Sequence, residues 1–110
     1  MDKSRNDMIK GTLDMLILKV LSLEPMHGWG IGERIQAMSE EILEVNQGAL
    51  YPALHRLVRR GWITSGWAVT ENNRRARFYE LTREGRRELG EEVEHWRRLS
   101  TAVDRIVAAS

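Results

Sequence analysis

Leu13, Leu16, Ile17, Val20 and Leu21 recur at intervals of three and four residues, the apolar stripe of an amphipathic helix. Thr12 stands just before the stripe in the place of an N-cap and Pro25 lies just past it. The spacing therefore predicts a first helix that starts at Thr12 and is stopped by Pro25, with the polar residues 1–10 outside it. His27-Gly28-Trp29-Gly30 reads as a turn into a second helix whose core side is Ile31, Ile35 and Met38. A third helix begins near Asn46 or Gln47, turns Leu50, Leu54, Leu57 and Val58 inward and ends at Gly61. Pro52 lies well inside it, where it removes one backbone donor and crowds the carbonyl four residues back, so the first turn is expected to be distorted.

From Trp62 the period shortens to two. Ile63, Ser65, Trp67 and Val69 alternate on one run and Arg77, Tyr79 and Leu81 on the next, separated by the polar stretch Thr70 to Arg75. This predicts a β-hairpin with a basic tip, and Gly66 within its first strand suggests a bulge or a close backbone approach. Thr82 then caps a last helix with Glu84 in its first turn and Leu89, Val93, Trp96, Leu99, Val103 and Ile106 at spacings of three and four. A helix over 83–108 is about 39 Å long at 1.5 Å per residue. The preceding residues make too small a body to cover it, so its apolar seam wants a partner helix, most simply from a second copy. Three short helices followed by a basic hairpin make an α+β, mainly helical fold: a winged helix-turn-helix over residues 1–82, with residues 83–110 forming a C-terminal dimerisation helix of the same structural unit.

Charge sharpens this picture. The 110 residues sum to only +1, but the sum is unevenly spread. Residues 1–46 hold five bases and eight acids, residues 80–110 six bases and seven acids, while residues 47–79 hold Arg56, Arg59, Arg60, Arg74, Arg75 and Arg77 against Glu71 alone. Fourteen of the 17 bases are Arg, whose forked guanidinium suits phosphate and guanine. The basic segment is the electrostatic footprint expected for a polyanion. On the third helix Gln47, Tyr51 and His55 align at i, i+4 and i+8, opposite the leucines, and Gly48 lets the helix start approach a phosphate.

At this point the chain resembles the PadR family of transcriptional regulators over nearly its whole length. The matching stretches are Gly11-Thr12-Leu13-Asp14, Met26-His27-Gly28-Trp29-Gly30-Ile31, Gly48-Ala49-Leu50-Tyr51-Pro52-Ala53-Leu54, Arg60-Gly61-Trp62-Ile63, Asn72-Asn73-Arg74-Arg75 and Tyr79-Glu80-Leu81-Thr82. Trp29 is a departure, since the family usually has Tyr there, and the end at Ser110 resembles the short subclass with a single C-terminal helix. The resemblance implies a homodimeric, cytoplasmic, DNA-binding protein, most often a repressor; a dimer that sets two third helices in successive major grooves would read an inverted-repeat operator. Together with the residue pattern the resemblance nominates Asn46, Gln47, Gly48, Tyr51, His55, Asn73, Arg74 and Arg75 for contact with double-stranded DNA. Arg77 reads as a solvated strand residue.

Leu89, Val93, Trp96 and Leu99 are candidates for the dimer interface or for an effector site. Some multidrug-sensing relatives hold planar compounds between paired tryptophans at a similar point, and here Glu88 and Glu92 precede Trp96 by two turns and one. The rival to a DNA-binding regulator is a winged-helix module that docks another protein.

Other classes are set aside. With no cysteine, disulfides, zinc–thiolate sites and iron–sulfur clusters are excluded. Gly28 to Gly32 follows a helix and lacks the Lys-Ser/Thr of a phosphate loop. Glu91, Glu92 and His95 offer one His and no second ligand motif, so no metal or cofactor is expected, nor is catalysis, with the three His on separate elements. The longest apolar run, Met15 to Leu18, neither spans a bilayer nor leads to a signal-peptide cleavage site.

Overall fold

The computed structural model describes the backbone from Lys3 to Ser110 and side chains from Thr12 onward. The elements run α1 (Lys3–Leu23), β1 (Met26–His27), α2 (Gly28–Met38), α3 (Gln47–Arg59), β2 (Ile63–Val69), β3 (Arg75–Leu81) and α4 (Arg83–Ala108). The arrangement is the winged helix-turn-helix expected, with the long C-terminal helix in place.

Helix α1 is the centre of the fold, in contact with α2, α3, α4 and β3. Leu13, Ile17, Leu18, Val20 and Leu21 are buried there, while Leu16 is only partly covered, so the stripe is broader than the spacing alone suggested. Thr12 lies inside this helix and is not its cap, because α1 begins at Lys3. Met1 and Asp2, at the head of the segment expected to lie outside the helix, fall outside the described residues. Ile31 and Ile35 of α2 and Leu50, Ala53, Leu54 and Leu57 of α3 close over α1. Met38 is exposed, contrary to the expectation for α2, since it falls in that helix's last turn beyond the reach of the core. Burying apolar area at roughly 25 cal/mol per Å² makes this three-helix cluster the main favourable term in the domain.

Helix α3 runs unbroken through Pro52. Its start is that of an ordinary capped helix, with the Asn46 carbonyl shared by the Ala49 and Leu50 N–H groups at 3.1 Å, so the expected distortion of the first turn is not seen. The hairpin forms in regular register from Ile63↔Leu81 to Val69↔Arg75, and Gly66 pairs with Phe78 with nothing packed close to it. No bulge exists there. The sequence reading missed β1: Met26 and His27 pair antiparallel with Tyr79 and Phe78, giving a sheet of order β1-β3-β2. Two residues are too few to show a period.

The junction between body and α4 is tightly built. Thr82 donates its backbone N–H to the Trp62 carbonyl at 3.0 Å, and its hydroxyl reaches the carbonyls of Gly61 (2.8 Å) and Trp62 (3.0 Å). The same hydroxyl oxygen caps α4 by accepting from the Gly85 N–H at 2.9 Å. A Cβ on Gly85 would lie 2.0 Å from the Trp62 carbonyl oxygen, so only glycine permits this approach. Gly85→Ala is therefore expected to destabilise the protein by about 1–3 kcal/mol or to shift α4 on the body. Urea denaturation of both chains at one protein concentration would show this as a lower midpoint.

Candidate nucleic-acid interface

The candidate surface begins at the cap of α3. Asn46 stands in extended conformation and its side-chain oxygen accepts from the Ala49 N–H at 2.9 Å, so this candidate has a structural duty at the helix start. Gln47, Gly48, Tyr51 and His55 follow on the exposed side, away from the buried leucines, as the periodicity required. Tyr51 is also a packing residue. A Cβ on Gly28 would come within 3.0 Å of its ring and 3.2 Å of its hydroxyl, so the bare glycine at the start of α2 lets the phenol lie against that helix. Tyr51 thereby joins α2 to α3 and presents a part-covered ring.

The six arginines of the basic segment do not share one fate. Arg56 is taken out of the footprint: its guanidinium donates to the Asp14 carboxylate of α1 at 2.7 Å, and both side chains are largely covered. Arg60 lies over the Trp62 ring at 5.0 Å. Arg75 and Arg77 both lie over the Trp67 ring, at 5.0 and 4.9 Å. Arg77, expected to be a solvated strand residue, also donates to the Ser65 hydroxyl at 3.0 Å. Arg75 belongs to β3 rather than to the tip. Arg59 and Arg74 are exposed with no ion-pair partner among the described residues.

At the wing tip the chain turns through Thr70–Arg74, closed by Thr70 N–H to the Arg74 carbonyl (2.7 Å) and Asn73 N–H to the Thr70 carbonyl (2.9 Å). Asn73 adopts φ 60°, a left-handed conformation that Asn tolerates better than most residues. Its first role is to shape the turn. Beneath the wing, Tyr79 is buried, and that burial raises its hydroxyl above the ordinary 10.0, opposed by the nearby Arg77 charge and assisted by Tyr51. The wing face and the α3 surface thus meet at Tyr79.

Along α4 the candidates divide. Leu89 is buried in the body's own core and Val93 packs against that core, so both are at least partly used within one copy and leave less surface for a partner than the positions further along. Trp96 is 41% exposed, and Leu99, Val103 and Ile106 continue the uncovered seam. Glu88 is held above the usual carboxylate value of 4.5, first by partial burial, then by the hydrogen bond and charge of Glu92, then by Glu91. Among the described residues no group of three His, Cys, Asp or Glu is placed to hold a metal, and no helix is long and apolar enough to cross a membrane.

Residues 17–91 match the sequence profile of the transcriptional regulator PadR-like family. The chain belongs to the PadR-like family of transcriptional regulators. As such it is a DNA-binding regulator. Similar solved structures span nearly the whole PadR-like chain. A transcriptional regulator from Clostridium thermocellum is 28% identical with a TM-score of 0.84, over 92% of this chain and 98% of the other. A PadR-like transcription factor from Bacteroides fragilis is 30% identical at TM-score 0.73, over 96% and 99%. A PadR family regulator from Eggerthella lenta is 26% identical at TM-score 0.79, over 97% and 91%.

The sequence reading missed the Asp14–Arg56 pair, which joins residues 42 apart, and it missed Trp67 as a seat for two arginines. The second was within reach, since the two-residue alternation already placed Trp67 and Arg77 on strands that pair.

Two predictions follow from the charges. Asp14→Ala and Arg56→Ala should each cost about 1 kcal/mol, and the double variant no more than either, because the pair is largely covered rather than solvated. A double-mutant cycle in urea measures this, with Arg59→Ala as a neutral control. For Glu88, the folded state binds the proton more readily than the unfolded chain, so its contribution is most favourable below pH 4.5 and is lost as pH rises through the raised value. Glu88→Gln should therefore raise the melting temperature at neutral pH, and the gain should vanish in acid, read from paired melts across pH 3–8.

Proposed function

We propose that this PadR-like chain is a cytoplasmic transcriptional repressor that binds an inverted-repeat operator as a homodimer. The observation that carries the reading is the split of α3 into a buried leucine side and an exposed side of Gln47, Tyr51 and His55, beside a wing whose outer end carries Arg74 and Arg75 against one acid, Glu71. In this reading residues 1–82 form the DNA-binding unit. Helix α3 enters the major groove with Gln47, Tyr51 and His55 toward the bases. Asn46 and Gly48 hold the helix start near a phosphate, and Asn73, Arg74 and Arg75 reach the flanking backbone or minor groove.

Residues 83–110 supply dimerisation through Trp96, Leu99, Val103 and Ile106, with Val93 at the margin. An apolar seam left uncovered on a helix that outruns its own body supports a second copy as its cover. Two copies related by a two-fold axis then set half-sites about 34–36 Å apart, one turn of DNA. A protein-docking module is the weaker reading, because such surfaces are depleted of charge at their centre. A planar hydrophobic effector seated between paired Trp96 rings would release the operator. The exposed indole, with Glu88 and Glu92 on the turns before it, supports a cationic compound there.

The test is selection of bound sequences from a random duplex library, followed by titration of affinity against salt. An enriched inverted repeat, with a salt slope equivalent to roughly 6–10 phosphates, is expected. Weak, uniform binding with no enrichment would overturn the reading. Arg74→Ala with Arg75→Ala should remove operator binding while sedimentation still reports a dimer.

A further inference from the structure

Trp67 lies on β2, well beyond the last buried residue of that strand, and is 58% exposed. An aromatic ring at such a place contributes little to the core, which ends at Ile63 and Tyr79. Its neighbours are two cations. Arg77 sits directly opposite it in the register and Arg75 one step diagonally toward the tip, and both guanidinium carbons stand about 5 Å from the ring centroid. Arg77 is further fixed by its 3.0 Å bond to Ser65, which lies on the same face of the hairpin.

Among the described residues neither guanidinium has a carboxylate partner. Two like charges are thus gathered on one ring with no counter-charge of their own. Repulsion would drive two free arginines apart. The indole face offsets it by attracting both, and the structure keeps the pair together at an exposed site.

Resting on the DNA-binding reading above, we infer that Trp67 is a positioning residue that holds Arg75 and Arg77 side by side as a two-pronged clamp for the DNA backbone. The wing's electrostatic contact is then a strand face rather than the turn alone. Arg77 joins the contact set beside Asn73, Arg74 and Arg75. The face has a defined direction as well. It continues from Trp67 and Arg77 to Tyr79, whose hydroxyl feels both the Arg77 charge and Tyr51 of α3. A backbone strand held by the clamp would therefore pass beside the groove that α3 occupies. Pre-ordering two long side chains on a rigid ring lowers the entropy lost when they meet phosphate.

The experiment titrates the full chain against a labelled duplex by fluorescence anisotropy, from 50 to 300 mM salt. The variants are Trp67→Ala, Trp67→Leu, Trp67→Phe, Arg77→Ala and Arg74→Ala, and melting curves confirm that each is folded. Arg77→Ala should lower the salt slope by about one. Trp67→Ala and Trp67→Leu should weaken binding on the order of tenfold and lower the slope by one to two, although neither removes a charge. Trp67→Phe should retain most of the affinity, since it keeps a π face where Leu keeps only bulk. A Trp67→Ala or Trp67→Leu protein with unchanged affinity and slope, alongside an Arg74→Ala protein that is weakened, would overturn the clamp and leave the DNA reading standing. Wild-type protein that binds no duplex would overturn both.

Discussion

The contact between Gly85 and the Trp62 carbonyl governs how the two halves of the molecule relate. With no Cβ in the way, the first turn of α4 presses onto the backbone that leaves α3. Thr82 then ties the same carbonyls by its own N–H and hydroxyl. Helix α3 and helix α4 are therefore referenced to one short stretch, Gly61-Trp62. If α4 pairs with a second copy, the angle it takes from this junction sets where the two α3 helices stand, and hence the half-site spacing a dimer can read. A regulator whose readout depends on spacing needs that junction to be stiff, and hydrogen bonds with a steric stop make it so.

The same economy governs charge. The basic segment is assembled from arginines with different jobs: one pinned to Asp14 to brace α3 on α1, one laid over Trp62, two gathered on Trp67, and two left open. Counting cations along the chain gives the sign of the surface and overstates its strength. What distinguishes the brace from the clamp is the partner. A carboxylate neutralises Arg56, whereas an indole holds Arg75 and Arg77 without neutralising them.

Helix α4 shows a parallel division along one stripe. Its apolar positions repeat without interruption from Leu89 to Ile106, yet Leu89 is spent on the body's core and only the positions from Trp96 onward stay open. Glu91 and Glu92 lie between these two regions, and Glu88 stands one residue before Leu89. Partial burial first, and the neighbouring Glu92 and Glu91 next, hold the Glu88 carboxyl above its ordinary value.

The sequence by itself determined the order of the four helices and the hairpin, the burial of the leucines on α3, the Thr82 cap and the span of α4, because each rests on local periodicity or a cap that a short window contains. The family motifs likewise named the surface of α3 and the wing tip. Only the tertiary structure decided what depends on residues far apart in the chain. It placed Thr12 inside α1 because the helix continues upstream, exposed Met38 because the core ends before it, and buried Leu89 under α1. It also added β1, which exists only because β3 offers two residues an edge to pair with. Arg56 and Arg77 changed roles for the same reason: a side chain's charge is written in the sequence, but what stands within a few ångströms of it is set by the fold.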